Sequence, residues 1–228
     1  MRIVPEGDLA LLVEFENEIS TACNEKVSAL NNSIKEAQLK GIVETIPAFR
    51  SLLVNYDPAV ISYRKLAGSL QRLAKMTKTV AKKEKQIIRI PVCYGGSYGE
   101  DMAAVCEHTG LSEQEVIRRH TENDYLIYML GFLPGFPYLG GLPAELATPR
   151  LKDPRTAIPA GSVGIGGEQT GIYPIASPGG WRLIGRTPLK LFDSNRSNPI
   201  LYQAGDYIRF YPITEQQYQE MAENDIEE

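Results

Sequence analysis

Residues 131–188 of the chain read GFLPGFPYLGGLPAELATPRLKDPRTAIPAGSVGIGGEQTGIYPIASPGGWRLIGRTP. They hold 12 of the 20 glycines and 9 of the 15 prolines, together with the only tryptophan, Trp181. Glycine permits backbone with φ above zero, and proline removes an N–H donor, so this composition excludes long helices. Disorder is not expected either, because aromatic and aliphatic side chains are interleaved with the glycines and prolines. The stretch therefore predicts a packed, turn-rich β surface that holds backbone groups and a few side chains in fixed positions.

The composition of the whole chain indicates an ordinary globular protein. Its 228 residues are 43% hydrophobic and 23% charged, which suits one large domain or two small ones. No apolar run reaches the ~20 residues that span a bilayer, and no aromatic-rich basic face accompanies the Lys75–Lys85 run. We therefore expect neither a membrane nor a nucleic-acid partner. Three cysteines and two histidines without metal-ligand spacing predict reduced thiols in a cytoplasmic protein and no metal site.

Residues 1–85 predict a small α+β domain. Two amphipathic segments have helical spacing, namely Ile19–Leu39 and the segment that follows Asp57-Pro58. Strand-like segments surround them at Leu9–Phe15, Ile42–Ile46, Arg50–Tyr56 and Gln86–Val92. The order strand-helix-strand-strand-helix-strand is the split βαβ pattern of a ferredoxin-like fold. The domain boundary is expected between residues 85 and 86, in the lysine-rich region where the apolar periodicity ends.

Residues 86–228 predict a mainly β domain that closes into a barrel. The glycine-rich loop Cys93–Gly99 comes first and is followed by two short helical segments, Glu100–Glu107 and Ser112–Thr121. Strand and turn signals then recur at regular spacing, as barrels require. They include Asp124–Leu130, Leu189–Phe192 and Tyr207–Tyr211. The acidic tail, Glu215–Glu228, is expected to fray.

The chemistry available in the central stretch consists of arginines and small polar groups beside glycine turns. The chain has no P-loop and no G-x-S-x-G nucleophile motif, so a complete catalytic centre is hard to assemble from it. Guanidinium groups suit carboxylate or phosphate oxygens, and close glycines let backbone N–H groups approach an anion. A small carboxylate or an acyl phosphate would fit such a site. The alternative is that the arginines tie β-turns to carbonyls while the aromatic side chains fill the barrel. The residues in question are Arg150, Arg155, Gln169, Thr170, Ser177, Arg182 and Arg186.

Three segments carry a specific resemblance to a known family. Residues 131–143, 148–174 and 177–188 resemble the family of 5-oxoprolinase B subunits, and residues 90–96 and 204–213 match it as well. That family includes the KipI-type inhibitors of a sensor histidine kinase and is similar to allophanate hydrolase subunit 1 and to part of urea amidolyase. The resemblance implies an N-terminal α/β domain followed by a cyclophilin-like barrel domain.

The resemblance also implies a function that needs other chains. The B subunit pairs with the C subunit, and with the A subunit they couple ATP hydrolysis to the opening of 5-oxoproline to glutamate. Magnesium would arrive with the nucleotide, and no protein-bound metal is expected. The first alternative is an inhibitor of sensor histidine kinase autophosphorylation. The second is allophanate hydrolase subunit 1, whose amidase signature this chain lacks.

The same resemblance yields the candidate site residues. The catalytic candidates are His120, Arg155 and Arg186. The substrate-binding candidates are Gly166, Gly167, Gln169, Thr170, Tyr173, Ser177 and Trp181. The interface with another subunit is expected at Phe132, Phe136 and Tyr138.

Overall fold

The computed structural model describes residues 1–18, 20–76 and 86–224 of the chain, apart from the side chain of Asn224. Ile19, at the start of the first predicted helix, and most of the Lys75–Lys85 run lie outside the described residues. The chain forms two compact units, Met1–Glu84 and Lys85–Glu228. No helix among the described residues has the length and hydropathy that a bilayer-spanning segment needs.

The N-terminal unit is a four-stranded antiparallel sheet with two helices. Its strands lie in the order β1-β2-β4-β3. Helix α1 begins after Ser20, whose hydroxyl accepts a hydrogen bond of 3.2 Å from the Cys23 N–H, as an N-cap does. The core between sheet and helices is aliphatic and includes Leu11, Leu30 and Leu52. The elements are β1 (Arg2–Glu6), β2 (Ala10–Glu14), α1 (Thr21–Ala37), β3 (Ile42–Pro47), β4 (Ser51–Tyr56) and α2 (Tyr63–Met76).

The predicted ferredoxin-like arrangement of this unit is not confirmed. Its last strand was expected at Gln86–Val92, but β5 (Ile87–Tyr94) pairs with strands of the barrel instead. The sheet edge beside β2 is occupied by β1, which carries a proline and two charged residues in five. Proline is tolerated on an edge strand because one row of its backbone groups needs no partner. That composition explains why β1 carries only a weak strand signal in the sequence.

The C-terminal unit confirms the prediction of a mainly β barrel. Seven strands close in the order β10-β7-β6-β13-β5-β12-β9, with β9 paired to β10. Only β5 and β13 run parallel among these pairings of the described strands. The barrel strands are β5, β6 (Tyr125–Leu130), β7 (Pro137–Gly140), β9 (Ser162–Ile165), β10 (Thr170–Ile172), β12 (Arg182–Arg186) and β13 (Tyr207–Ile213). A separate two-stranded sheet joins β8 (Arg155–Ile158) and β11 (Ser177–Gly179).

Residues in the barrel strands alternate between an inner and an outer face. Val163 and Ile165 of β9, for example, point into the barrel core with Val92 of β5. The outer face of the neighbouring strands carries glycines and a second hydrophobic cluster. Residues 131–188 therefore contribute both the inner wall and most of the outer cluster, because side chains alternate along a strand.

Helices α3 (Met102–Thr109) and α4 (Glu113–Thr121) overlap the two predicted helical segments in sequence, with their ends shifted by at most two residues. The expected fraying of the tail is wrong for residues 215–224, which form helix α5 (Glu215–Asn224). The Thr214 hydroxyl accepts from the Gln217 N–H at 3.2 Å, and the Gln217 amide oxygen accepts from the Thr214 N–H at 2.9 Å. This reciprocal capping box stabilises the first turn of α5 against fraying. The strand expected at 189–192 is reduced to a single bridge between Phe192 and Ile200.

Candidate functional site

His120 and Thr170 lie inside the barrel, where water does not reach them. The ring nitrogens of His120, in the last turn of α4, are 2.8 Å from the Tyr94 hydroxyl and 2.8 Å from Thr170 Oγ1. The Thr170 hydroxyl donates to the Gly164 carbonyl at 3.1 Å, so it accepts from His120 Nε2–H, and Nδ1 accepts from Tyr94. Burial lowers the pKa of His120 to about 3. The imidazole is thus neutral, has one tautomer and joins α4 to β5 and β10. Its hydrogen bond fixes the Thr170 side chain.

The glycines of the central stretch make room for one indole ring. A Cβ placed at Gly166 would lie 2.6 Å from Cδ2, Cε2 and Nε1 of Trp181, and one at Gly171 would lie 3.0 Å from Cζ3. Gly164 is similarly close to the Trp181 Cβ, at 3.1 Å. Real Cβ atoms do not approach ring atoms to 2.6 Å, so any larger residue at position 166 would displace Trp181. Gly166 therefore serves packing, whereas Gly167 supplies a turn at φ 69°.

Four aromatic side chains pack on this glycine wall, and we call them the aromatic cluster: Phe136, Tyr138, Tyr173 and Trp181. The Phe136 ring makes edge-to-face contacts with the other three at centroid distances of 5.0 to 5.5 Å. Burial raises the pKa of Tyr173, which lies beneath the surface. Such geometry gives a rigid apolar surface rather than a loose one.

The three predicted interface residues differ in exposure. Phe136 is 1% exposed, and Tyr138 is half-buried. Phe132 is 63% exposed, although its ring still contacts Phe136 edge-on at 5.7 Å. Its backbone has φ 66°, which is unusual for a bulky residue and indicates that the loop is held in place by its surroundings. Phe132 is therefore the member of this set that is free to contact another chain.

Arg155 is engaged within the protein. Its guanidinium donates two hydrogen bonds of 2.9 Å to the Asp101 carboxylate, and this contact raises the pKa of Arg155. The same carboxylate accepts the Leu183 N–H at 2.7 Å. Arg182 lies 3.8 Å from Asp101 and also donates to the Pro149 carbonyl at 3.3 Å. Both arginines match the alternative in which guanidinium groups tie turns together.

Arg186 lies on a different strand from Arg155 and contacts different residues. It is the last residue of β12, and its guanidinium carbon is 5.8 Å from the Tyr98 ring centroid. Since Arg182 begins the same strand, the two arginine positions are separated by roughly 13 Å along it. Arg155 and Arg186 therefore contact different groups, the Asp101 carboxylate and the Tyr98 ring. The Arg186 Nε and the Gln169 Nε2 are buried atoms that find no hydrogen-bond partner in the described residues.

Arg150 was among the arginines that the sequence offered for anion binding, but the family resemblance did not single it out. Its guanidinium lies over the Trp181 ring, 5.5 Å from the centroid, and its side chain is exposed. Within the described part of the chain, no carboxylate or carbonyl accepts its donors. The Thr148-Pro149-Arg150 sequence was its only signal, because a proline turn does not reveal which ring the next side chain will reach. The arrangement offers an available cation beside a rigid aromatic surface.

The remaining candidates have local roles. The Ser177 hydroxyl donates to the Pro178 carbonyl at 3.1 Å, and the Gln169 carbonyl accepts from the Gly166 N–H at 2.9 Å. Two shallow depressions of about 310 and 400 Å³ lie on the N-terminal unit, and no candidate residue lines either of them. The described residues include no group of three His, Cys, Asp or Glu side chains that could hold a metal ion.

Comparison with known proteins adds a family assignment to this geometry. Residues 1–202 match the family described as carboxyltransferase domain, subdomain C and D. The chain is 44% identical over 224 residues to the 5-oxoprolinase B subunit of Bacillus subtilis (strain 168), covering 93% of this chain and 92% of that protein. It is 43% identical over 210 residues to the 5-oxoprolinase B subunit of Escherichia coli O157:H7, covering 92% and 94%.

A solved structure is similar as well. A conserved uncharacterized protein from Pyrococcus horikoshii shares 46% identity, with a TM-score of 0.58, over 95% of this chain and 100% of that one. The matches to all three proteins span almost the whole of each chain, so the similarity covers both units.

Proposed function

This chain belongs to the family of 5-oxoprolinase B subunits, and we propose that it is the B subunit of an ATP-dependent 5-oxoprolinase. The complex would convert 5-oxo-L-proline, ATP and water to L-glutamate, ADP and phosphate. Its partners would be the A and C subunits, and magnesium would enter with the nucleotide. Residues 1–85 would form the N-terminal domain and residues 86–228 a cyclophilin-like barrel domain.

One observation supports the proposal beyond family membership. The rings of the aromatic cluster are packed against one another, whereas polar groups beside them have donors without acceptors in the described residues. Arg150 has unused donors over the Trp181 ring, and the buried Gln169 amide nitrogen finds no partner in the described residues. Phe132 leaves its ring exposed at the edge of the same surface. Polar donors held on a rigid apolar wall are typical of half a binding site. Another subunit would supply the opposite wall.

The chemistry of lactam opening fits such a divided site. A γ-lactam amide is stabilised by resonance, so phosphorylation of its carbonyl oxygen is a reasonable way to activate it. Negative charge then develops on the phosphoryl oxygens, and preorganised donors stabilise it best where water is excluded. We assign this role to Arg150, and we assign the orientation of the lactam amide to Gln169. Burial keeps His120 away from any substrate, and the Arg155 guanidinium is engaged by Asp101, so neither catalytic candidate is exposed for chemistry in the described residues.

The test is reconstitution. The purified chain alone should release no glutamate from 5-oxoproline, whereas a mixture with its cognate A and C subunits plus ATP should release glutamate and ADP. Arg150→Ala should lower kcat/KM about 100- to 1,000-fold, the loss expected when one preorganised charge-stabilising donor is removed. Lys152→Ala, at an exposed position two residues away, is the matched control and should keep full turnover.

Two outcomes would count against the proposal in different ways. Full turnover by the Arg150→Ala complex would remove Arg150 from the site but leave the place of this chain in the complex intact. Absence of glutamate release from the complete wild-type mixture, with all three proteins folded, would contradict the assignment itself.

A further inference from the structure

Four residues form a row across the outside of the barrel, and we call it the outer row: Ser162, Arg186, Cys93 and Ile213. Ser162 of β9 is the cross-strand partner of Arg186 on β12. Arg186 is in turn the partner of Cys93 on β5, and Cys93 is the partner of Ile213 on β13. Directly opposed residues share one face of a sheet. That face is the outer one, since Val163 and Val92, next to members of the row, point into the barrel core.

The outer row contains two adjacent buried donors that nothing in the described residues satisfies. Ser162 is completely buried, and its Oγ finds no hydrogen-bond partner there. The neighbouring Arg186 Nε is buried and equally lacks one. Buried polar groups are nearly always paired, so each of these atoms is expected to have a partner in the working protein. Because Cβ atoms of opposed residues are about 5 Å apart, one ligand with two acceptor oxygens can reach both donors.

A two-tyrosine cover lies over this place. Tyr98, from the glycine-rich loop, and Tyr218, from α5, have ring centroids 4.5 Å apart, and Arg186 lies against the Tyr98 ring. Burial raises the pKa of Tyr218, while the charge of Arg186 and its hydrogen bond to the Tyr218 hydroxyl oppose that shift, so among the described residues the unpartnered donor of Arg186 is Nε alone. The loop is seated closely on β12, since a Cβ at Gly99 would lie 2.2 Å from the Ile184 carbonyl oxygen. The glycines of Cys93–Gly99 thus place Tyr98 over the row.

Helix α5 is attached to the barrel lightly enough to move. It has ten residues, and only Tyr218, Met221 and Ala222 are half-buried among those whose side chains are described. A short helix with one aromatic anchor and few buried contacts belongs to the low-stability end of a structure. The loop that carries Tyr98 has no such freedom.

We propose that the outer row is an oxyanion site beneath α5, in which Ser162 and Arg186 bind a phosphate or carboxylate group and α5 closes over it. The hydroxyl and the guanidinium N–H both donate to the anion, and charge assistance strengthens the second bond. One nearby carboxylate would repel a bound anion. It belongs to Glu215, which accepts from the Tyr98 hydroxyl at 3.5 Å. Glu215 is exposed at the rim, and no ion pair joins it to Arg186 in the described residues.

Cys93 gives a direct readout of this site on the isolated chain. Its thiol is buried in the outer row, so its rate of alkylation measures how often α5 opens. Mass spectrometry of the peptides separates Cys93 from Cys23 and Cys106. We expect Tyr218→Ala to raise the alkylation rate of Cys93 at least severalfold, whereas Gln219→Ala, on the exposed side of α5, should not.

Ligand binding should have the reverse effect. Inorganic phosphate or 5-oxoproline, at about ten times its dissociation constant, should slow alkylation of Cys93 about tenfold, because the closed state is the one that binds. Sodium chloride at equal ionic strength should not. Comparing phosphate with 5-oxoproline shows whether the site prefers a phosphate or a carboxylate. Ser162→Ala and Arg186→Gln should each abolish protection and leave the alkylation rate of Cys106 unchanged.

A second measurement covers the case in which Cys93 reacts too slowly. The same phosphate concentration should raise the thermal unfolding midpoint of the wild type by about 3 °C and that of Arg186→Gln by much less. Equal protection and equal stabilisation in wild type and both variants would overturn the proposal. So would the absence of any ligand effect, which would mean that a water molecule satisfies the two donors. Neither result depends on turnover by the complex, so a failure here is distinct from a failure of the proposed function.

Discussion

The guanidinium of Arg155 donates one hydrogen bond of 2.9 Å to each carboxylate oxygen of Asp101. The two residues are 54 positions apart in the chain. Asp101 is also bonded to β12, since its N–H donates to the Leu183 carbonyl at 2.9 Å and its carboxylate accepts the Leu183 N–H. The pair therefore joins the start of α3, β8 and β12. An arginine whose sequence context suggests anion binding is, in the folded protein, paired with a carboxylate of the same chain.

Breaking this pair should lower stability. Asp101→Asn leaves the Arg155 guanidinium without its counter-charge in a largely buried setting, so we expect a loss of about 2–4 kcal/mol in the free energy of unfolding. Urea denaturation followed by circular dichroism measures it. Glu100→Gln, at an exposed carboxylate 3.6 Å from Arg155, is the control and should change stability by less than about 0.5 kcal/mol. Wild-type stability in Asp101→Asn would show that the pair is not a brace.

Enlarging the wall beneath Trp181 should disturb the aromatic cluster. Gly166→Ala places a Cβ 2.6 Å from three indole atoms, and overpacking of this kind costs about 1–3 kcal/mol. Because Trp181 is the only tryptophan, its emission spectrum reports the displacement directly. Gly68→Ala, where no atom lies within 4 Å of the new Cβ, is the matched substitution. It lies within α2 and should stabilise by up to about 1 kcal/mol without changing the spectrum. An unshifted spectrum in Gly166→Ala would contradict the packing role.

The buried imidazole should make stability depend on pH. The pKa of His120 is about 3 in the folded state against 6.5 in the unfolded chain, so below pH 6.5 the unfolded state binds a proton that the folded state does not. Stability from this group is complete above pH 6.5 and is lost as pH falls from 6.5 towards 3. Between pH 7 and pH 5 the loss should be about 2 kcal/mol.

Urea unfolding at the two pH values measures that loss, and two variants identify its source. His120→Gln should flatten the dependence, even though it lowers stability at pH 7. His108→Gln, at the exposed second histidine, should retain the full dependence. A His120→Gln variant with the same pH dependence as the wild type would assign the effect to other groups.

The exposed aromatic ring should matter for assembly and not for folding. Phe132 has φ 66°, a conformation that asparagine tolerates better, so Phe132→Asn should keep the stability of the isolated chain or raise it by up to about 1 kcal/mol. Binding to the cognate C subunit, measured by isothermal titration calorimetry, should weaken at least tenfold, as expected for an aromatic anchor.

The buried neighbour provides the contrast. Phe136→Ala removes a core ring and should destabilise the chain itself by about 3–5 kcal/mol. Undiminished affinity of Phe132→Asn for the C subunit would place the interface elsewhere on the barrel unit.

Local patterns in the sequence were sufficient for the class of most elements, although they missed β1 and α5 and predicted a strand at 189–192 that is a single bridge. The glycines and prolines of residues 131–188, interleaved with aromatic side chains, excluded long helices and predicted a packed β surface, and they also carried the family resemblance. The helix starts at Ser20 and Ser112 are local features as well, because each hydroxyl accepts from the N–H three residues later. Such signals are local, so they can be recognised without knowing what the segment will contact.

Which strands pair and which side chains meet was decided only by the tertiary structure. β5 pairs in parallel with β13, a strand about 120 residues later, rather than completing the N-terminal sheet. Arg155 meets Asp101, Gly166 lies under Trp181, and Ser162 is placed opposite Arg186, each through strand register. A register is selected by the burial of whole faces, and a shift of one residue exchanges the two faces of a strand. Only the closed barrel therefore decides which arginine remains free for a ligand. The carboxylates and carbonyls that compete for the guanidinium groups are brought near them when the barrel closes.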